Sequence, residues 1–203
     1  MNRWVGKVAV VTGASSGIGA AIVVDLVKAG VIVVGLARRV QRVEELRNKI
    51  TLLESGKLYA VQCDVTKEED IKKSFEWIET KLGGVDILVN NAGIIRQTNL
   101  LSPDNTVAIK EILDTNVMGV VLCTREAFKS MKKRSVDGHI VIINSIIGHK
   151  VPYFGGELPC TNMYPSSKFA VTAMTEVLRQ ELQMEGTKRT KITVLYLKKN
   201  PTQ

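Results

Sequence analysis

The chain has 203 residues, of which 45% are hydrophobic and 5% aromatic, and its formal net charge is +8 at pH 7. This length accommodates one domain with a substantial core, so we interpret residues 1–203 as a single domain. The composition excludes a disordered chain, and the lack of any run of about 18 apolar residues predicts that no segment spans a membrane.

The number and spacing of the cysteines indicate the redox state of the compartment in which the protein resides. Cys63, Cys123 and Cys160 lie far apart, are odd in number and form no C-x-x-C pair. This spacing argues against a disulfide framework or a zinc site and favours a reducing compartment. The apolar run at residues 7–12 is too short for a signal peptide. We therefore expect a cytoplasmic protein that holds no metal ion.

The positive charge raises the question of nucleic-acid binding. The basic residues fall into separate groups around Arg38, between Lys129 and Arg134, and between Lys188 and Lys199. No aromatic side chains are interleaved with them to stack on bases. Solvated helix faces and an anionic cofactor account better for the charge, so we expect no nucleic-acid partner.

The first part of the chain has the pattern of a strand, a glycine-rich turn, a helix and a second strand. Residues 7–12 and 31–36 are apolar runs typical of buried parallel strands. The turn between them contains Gly13, Ser15, Ser16, Gly17, Ile18 and Gly19. Such a unit binds a dinucleotide pyrophosphate at the helix N-terminus, where unpaired N–H groups favour anions. The pattern therefore predicts a dinucleotide-binding site.

The end of the second strand indicates which dinucleotide is bound. Arg38 and Arg39 stand there, and no acidic residue occurs between residues 31 and 43. An acidic side chain at this place binds the ribose 2′-hydroxyl of NAD, whereas an arginine accommodates the 2′-phosphate of NADP. The alternative is a pair of surface arginines that open the next helix. We favour NADP(H) as the cofactor.

Strands and helices alternate through the rest of the sequence. We expect further strands at residues 57–63, 85–90, 139–145 and 191–197, a loop at 146–161, and helices at 40–53, 67–82, 106–131 and 162–185. This alternation predicts an α/β fold of the Rossmann type. Its sheet should be doubly wound and parallel, with six strands in the order 3-2-1-4-5-6 and helices on both faces.

Polar or small residues follow two of these strands. Asp64 and Val65 follow the third, and the aspartate is expected to cap the next helix, to bond an adenine amino group, or to do both. Asn91, Ala92 and Gly93 follow the fourth, where small residues let the backbone lie close to a ligand. Because parallel strands bind ligands at their carboxyl ends, we expect these residues to join the dinucleotide site.

Four further residues are candidates for chemistry. Tyr164 and Lys168 stand four residues apart in a predicted helix and so share one face. An ammonium close to the phenol should lower the pKa of Tyr164. Ser145 ends a buried strand, where its hydroxyl could hold a carbonyl oxygen. Asn116 is an unfavourable helix-interior residue that must bond to a partner there, and a water in a proton path is one candidate.

Together these motifs resemble the classical short-chain dehydrogenase/reductase family over about residues 5–197. The matching stretches are residues 12–19, 64–65, 90–93 and 164–168, with Asn116 and Ser145 between them. The resemblance implies that Tyr164 is the general acid/base and that Ser145 orients and polarises the substrate oxygen. It implies that Lys168 lowers the tyrosine pKa and binds the nicotinamide ribose, and that Asn116 holds the water of a proton relay.

Finer features resemble the insect farnesol dehydrogenase-like branch of this family, to which the vertebrate dehydrogenase/reductase member 11 type is close. They lie at residues 148–152, 163–168 and 170–176. The branch implies oxidation of a hydrophobic isoprenoid or steroid alcohol, or the reverse reduction of a carbonyl. The family also implies a homodimer or homotetramer with a four-helix contact made by helices 106–131 and 162–185.

The carboxyl end departs from the family pattern. Members usually follow the sixth strand with a turn, a substrate-covering segment, a further helix and a seventh strand, whereas this sequence ends at Gln203. We therefore expect an exposed edge at the sixth strand and a substrate pocket that lacks one wall. The alternative function is a truncated, catalytically impaired isoform that binds dinucleotide or pairs with full-length subunits.

Overall fold

A six-stranded parallel sheet forms the frame of the computed structural model, which describes residues 2–50, 57–151, 162–185 and 189–197. The strands are β1 (Val8–Thr12), β2 (Ile32–Ala37), β3 (Lys57–Gln62), β4 (Ile87–Asn90), β5 (His139–Ser145) and β6 (Lys191–Leu197). Their order is β3-β2-β1-β4-β5-β6. The predicted strand order and doubly wound architecture are confirmed.

Helices cover both faces of this sheet. They are α1 (Gly17–Lys28), α2 (Val40–Ile50), α3 (Glu68–Leu82), α4 (Thr106–Leu113), α5 (Gly119–Arg134) and α6 (Tyr164–Met184), with short 3₁₀ turns at Asn2–Trp4 and Ile146–Gly148. Buried residues of α1 and α2 belong to one hydrophobic cluster, and those of α3, α5 and α6 belong to the other.

The central strand β1 shows why the sequence has continuous apolar runs. Val8 and Val10 belong to the cluster with α3, α5 and α6, whereas Ala9 and Val11 belong to the cluster with α1 and α2. All five residues of β1 are buried, because β2 and β4 flank the strand and helices cover both faces. A strand buried on both sides gains from apolar residues at every position, so it shows no alternation.

The helix expected over residues 106–131 is present, but it is not α-helical throughout. α4 ends at Leu113, a π-helical turn covers Asp114–Met118, and α5 begins at Gly119. Asn116 is buried in this turn. Turns of this kind are rare and occur frequently at functional sites, because they displace side chains from the regular helical positions.

Several predicted features lie at the margins of the described residues. β6 forms one edge of the described sheet, and none of its seven residues is buried. The exposed edge at the sixth strand is thus observed within the described part of the chain. Residues 51–53 of the expected helix 40–53, residues 152–161 of the expected loop and residues 198–203 lie outside the described residues.

A buried carboxylate, that of Asp86, connects strands and a helix at the amino-terminal ends of the central strands. Asp86, just before β4, accepts a 2.9 Å hydrogen bond from the backbone N–H of Val8. Its other oxygen lies 3.1 Å from Nη1 of Arg134, at the end of α5. Nη2 of Arg134 also donates to the carbonyl of Val85. Asp86 is only 5% exposed, so these contacts replace its hydration.

Replacing Asp86 with alanine should leave a buried N–H at Val8 without an acceptor and a partly buried guanidinium at Arg134 without its carboxylate partner. We expect a loss of about 2–4 kcal/mol in the free energy of unfolding, because uncompensated buried polar groups are costly. Urea denaturation measures this loss. Asp137→Ala, which removes an exposed carboxylate nearby, is the matched control and should change stability by less than about 0.5 kcal/mol. Equal effects of the two substitutions would contradict the assignment.

Candidate active site

A cleft of about 340 Å³ lies at the carboxyl ends of the central strands. Twelve of the predicted dinucleotide-binding residues line it: Gly13, Ser15, Ser16, Ile18, Gly19, Arg38, Arg39, Asp64, Val65, Asn91, Ala92 and Gly93. The other three, Gly17 at the start of α1 and Tyr164 and Lys168 in α6, are not among the lining residues. The topology thus brings residues from four separate parts of the sequence to one edge of the sheet.

The glycine-rich turn packs directly against the residues that follow β4. A Cβ atom on Gly13 would lie 2.9 Å from Cα of Ala92. A Cβ atom on Gly19 would lie 2.4 Å from Nδ2 of Asn91 and 2.4 Å from the carbonyl oxygen of Gly13. The hydroxyl of Thr12 accepts 3.0 Å hydrogen bonds from the backbone N–H groups of Asn91 and Ala92. The missing side chains leave a cradle lined by backbone, which fits a dinucleotide pyrophosphate.

Two arginines stand at the rim of this cleft. Arg38 and Arg39 directly follow β2, and both are exposed. Nη2 of Arg39 donates a 3.5 Å hydrogen bond to the hydroxyl of Ser16, in the glycine-rich turn. The guanidinium is therefore held against the turn, and the arginines provide positive charge where an acidic side chain would otherwise select NAD.

The predicted capping role of Asp64 is wrong. Its Oδ1 accepts hydrogen bonds from the backbone N–H of Thr66 at 3.1 Å and from the Thr66 hydroxyl at 2.9 Å. The N-cap position of α3 belongs to Lys67, which provides no side-chain cap. Asp64 therefore stabilises the turn between β3 and α3 and remains on the wall of the cleft, so adenine recognition stays a prediction.

Ser145, Tyr164 and Lys168 come together beside the cleft. Ser145 is the last residue of β5, and Tyr164 is the first residue of α6. The Ser145 hydroxyl lies close enough to the Tyr164 phenol to lower its pKa through a side-chain hydrogen-bond interaction. Nζ of Lys168 lies 5.7 Å from the centroid of the Tyr164 ring and donates a 3.2 Å hydrogen bond to the carbonyl oxygen of Ile143.

Burial is the largest influence on the pKa values of Tyr164 and Lys168. It raises the pKa of Tyr164 above its ordinary value, and the hydrogen bond with Ser145 opposes the rise. Burial also lowers the pKa of Lys168 to about 8. The expectation that Lys168 lowers the pKa of Tyr164 below its ordinary value is therefore wrong for this chain. Desolvation of the phenolate outweighs the stabilisation that its neighbours provide.

Asn116 connects Ile94, which lines the cleft, to α6, the helix that carries Tyr164, through hydrogen bonds. Its Oδ1 accepts a 2.8 Å hydrogen bond from the N–H of Ile94, and its Nδ2 donates to the carbonyl of Ile94 at 2.9 Å. Nδ2 also donates to the hydroxyl of Ser167 at 3.0 Å, which in turn donates to the carbonyl of Tyr164 at 2.7 Å. The side chain thus makes three hydrogen bonds with two residues, and its role in holding a water stays a prediction.

Ser167 is a site residue that sequence reasoning missed. It is fully buried in the first turn of α6 and connects Asn116 to the backbone of Tyr164. A serine within a helix gives no signal in the apolar periodicity. Its position directly before Lys168, on a helix whose first turn should be buried at the sheet edge, is the clue that could have identified it.

Neither a metal cluster nor a membrane span occurs within the described ranges. In residues 2–50, 57–151, 162–185 and 189–197, no group of three or more His, Cys, Asp or Glu side chains could hold a metal ion. Among the helices of this described part, none combines the length and the apolar character needed to cross a membrane.

Comparison with known proteins defines the class to which this fold and site belong. The family model for short chain dehydrogenases matches residues 7–199, which is most of the chain. The chain belongs to the short-chain dehydrogenase/reductase family of oxidoreductases, whose cofactors are nicotinamide dinucleotides.

Particular relatives narrow the comparison. The chain is 63% identical to the farnesol dehydrogenase of Aedes aegypti over 193 residues, covering 95% of this chain and 77% of that protein. It is 47% identical to dehydrogenase/reductase SDR family member 11 of Homo sapiens over 185 residues, covering 90% of this chain and 69% of that protein. The resemblance to this branch of the family is thus confirmed.

Solved structures show the same architecture. A short-chain type dehydrogenase/reductase from Mycobacterium marinum superposes with a TM-score of 0.86 at 29% identity, covering 95% of this chain and 74% of that one. An alcohol dehydrogenase from the archaeon Thermococcus sibiricus, solved in complex with 5-hydroxy-NADP, gives a TM-score of 0.82 at 25% identity. That match covers 94% of this chain and 75% of the other.

Replacing Lys168 with methionine should stabilise the fold. The pKa of Lys168 is lowered from 10.5 to about 8, so folding releases protons and stability rises with pH through that window. At pH 7 the lysine is charged and buried, and methionine removes that cost. We expect an increase of about 1–3 kcal/mol in the free energy of unfolding, after allowing for the lost bond to Ile143.

Urea denaturation between pH 7 and pH 10 measures this effect. The wild-type chain should gain stability with rising pH relative to the methionine variant, because only the wild type carries the group with a lowered pKa. Lys72→Met, on the exposed face of α3, is the control and should show no such pH-dependent difference. A less stable Lys168→Met variant at pH 7 would contradict the buried-charge argument.

Proposed function

We propose that this protein is an NADP(H)-dependent oxidoreductase that transfers a hydride between the nicotinamide and a hydrophobic alcohol or carbonyl compound. An isoprenoid such as farnesol, or a steroid, is the proposed substrate. The observation that carries the proposal is the assembly of Ser145, Tyr164 and Lys168 at the end of β5 and the start of α6, next to a cleft that fits a dinucleotide. The 63% identity to a farnesol dehydrogenase supports the isoprenoid substrate class.

The residues that would hold the cofactor are those of the cleft. Backbone of the glycine-rich turn would bind the pyrophosphate at the start of α1, and Asp64 and Val65 would contact the adenine. Arg38 and Arg39 would bind the 2′-phosphate, which is why we propose NADP(H) rather than NAD(H). Lys168 would bind the nicotinamide ribose. When bound, the nicotinamide supplies or accepts the hydride.

Tyr164 and Ser145 would handle the proton and the substrate oxygen. Because burial raises the pKa of Tyr164, its phenol is protonated at neutral pH and is suited to donate a proton to the oxygen of a carbonyl that is being reduced. The Ser145 hydroxyl, on the neighbouring strand end, would donate a hydrogen bond to the same oxygen and polarise it. In the oxidation direction the phenolate would accept that proton, and the hydrogen bond from Ser145 would stabilise the phenolate.

Assembly into a homodimer or homotetramer belongs to the same proposal. A groove of about 590 Å³ lies between α5 and α6, and its lining includes Phe128, Leu178 and Met184. Met184 is 86% exposed, whereas Phe128 and Leu178 are half-buried. A second copy of these helices would cover them. We also propose a cytoplasmic location, which the free, buried thiols of Cys63 and Cys123 support.

The alternative is a catalytically impaired chain that binds dinucleotide or pairs with longer subunits. It is not favoured, because Ser145, Tyr164 and Lys168 are assembled beside the cofactor cleft.

Tyr164→Phe removes the hydroxyl that would move the proton. We expect turnover of farnesol with NADP⁺, and of farnesal with NADPH, to fall by about 10²- to 10⁴-fold. The Kd for NADPH, measured by fluorescence titration, should change less than about twofold, since the phenyl ring keeps its packing. Tyr59→Phe, in β3 and packed against Trp77, is the control and should retain full activity. Unchanged turnover in Tyr164→Phe would overturn the assignment.

Arg38→Ala combined with Arg39→Ala tests the choice of cofactor. Loss of charge-assisted hydrogen bonds to a phosphate should weaken NADPH binding by about 10- to 100-fold. NADH binding should change less than about twofold, because that cofactor has no 2′-phosphate. Arg42→Ala, an exposed arginine of α2 that does not line the cleft, is the matched control. Equal weakening of NADPH and NADH binding would contradict NADP selectivity.

A further inference from the structure

Three backbone segments pack against one another next to Ser145 and Tyr164. They are the end of β5, the 3₁₀ turn Ile146–Gly148, and the turn of α6 that carries Lys168. Gly148 rests on the helix backbone so closely that a Cβ atom there would lie 2.7 Å from the carbonyl oxygen of Lys168. The segment after Ser145 is therefore packed against α6 without an intervening side chain.

The side chain of Asn144 connects β5 to α6. Its Oδ1 accepts a 2.9 Å hydrogen bond from the backbone N–H of Ser145. Its Nδ2 donates to the carbonyl of Lys168 at 3.2 Å and to the hydroxyl of Thr172 at 3.0 Å. Asn144 is only 3% exposed, so each of these groups would lose one hydrogen-bond partner in a buried place if the side chain were removed.

The hydroxyl of Thr172 is the centre of this junction. Besides the bond from Asn144, it lies 3.1 Å from the carbonyl oxygen of Gly148 and 3.2 Å from that of Lys168. Its single hydrogen can be donated to only one of these carbonyls at a time. The phenol of Tyr196 in β6 reaches the same hydroxyl at 3.5 Å. One side-chain oxygen thus contacts the strand, the turn and the helix.

We propose that Asn144 and Thr172 are positioning residues that hold Ser145 at hydrogen-bonding distance from Tyr164. Ser145 and Tyr164 belong to different elements, and their relative position is fixed by what joins those elements close to the pair. Asn144 accepts a hydrogen bond from the backbone of Ser145 and donates one to the backbone of Lys168. Lys168 lies one helical turn from Tyr164, so Asn144 connects the two elements close to the pair. The effect on turnover rests on the proposed function, whereas the effect on Tyr164 itself does not.

Thr172→Val tests the inference, because it keeps the shape of the side chain and removes the hydroxyl. We expect kcat to fall about 10- to 100-fold, since small displacements of catalytic groups have effects of this size. The KM for NADPH and the thermal midpoint should change little. Weakening of the Ser145 bond should raise the pKa of Tyr164, because burial then acts unopposed. The alkaline limb of the pH–rate profile should move to higher pH with it.

Two variants of α6 complete the design. Thr172→Ser restores the hydroxyl and should recover kcat to within about threefold of the wild type. Thr175→Val is the matched control: Thr175 is equally a helical threonine, but its hydroxyl donates to Val171 in the same helix. It should leave kcat and the pH profile unchanged. If Thr172→Val does not fold, Thr172→Ala removes the same hydroxyl and replaces it in every comparison.

The pKa of Tyr164 is read independently of turnover. Tyrosinate absorbance is titrated for each protein and for the same protein carrying Tyr164→Phe, and the difference belongs to Tyr164. A higher pKa in Thr172→Val, restored in Thr172→Ser, supports the inference even if the wild type turns over no alcohol, which would overturn only the proposed function. An unchanged pKa, or an equal rise in Thr175→Val, overturns the inference.

Discussion

Helices cover both faces of the parallel sheet, so the backbone polar groups of the central strands have only neighbouring strands as partners. The sheet can therefore present unpaired backbone and polar side chains to a ligand only where its strands end. Thr12, Asn91, Ser145 and the two arginines all follow or complete a strand at the same edge. The location of the site is thus a consequence of how the core is buried, and the chemistry depends on which side chains occupy those few positions.

Burial shifts the pKa values of Tyr164, which would transfer the proton, and Lys168, which would bind the ribose, in opposite directions. It raises the pKa of Tyr164 and lowers that of Lys168, so both side chains move toward their neutral forms. A neutral phenol is a competent proton donor, whereas a lysine close to its pKa near neutrality responds strongly to any nearby negative charge. The buried lysine lowers the stability of the fold in return for that responsiveness, as is common for groups held in an active site.

Much of the architecture could be predicted from the sequence, because burial on two faces forces continuous apolar strands and a glycine-rich turn between two such strands is typical of a dinucleotide-binding unit. The cleft residues followed from the same argument, since parallel strands end together. The π turn around Asn116 could not be predicted, because five residues interrupt the helix without changing its apolar pattern. Nor could Ser167, Thr172 or the direction of the Tyr164 pKa shift, which depend on tertiary contacts and desolvation rather than on spacing along the chain.

The hydrogen bonds of the Thr12 hydroxyl determine how the nucleotide cleft tolerates amino-acid substitutions. It accepts from two consecutive backbone N–H groups beyond β4 and lies within 3.4 Å of the carbonyl of Val89, so it connects β1 and β4 where the cradle is formed. These bonds hold the ends of the two strands together, so a substitution of Thr12 would also disturb the backbone that follows β4. Arg38 and Arg39 are exposed at the rim, where Arg39 contacts the turn through a long, 3.5 Å hydrogen bond to Ser16. Under the proposed function, different residues anchor and discriminate the nucleotide, so cofactor preference could be exchanged, by evolution or by design, without rebuilding the floor of the cleft.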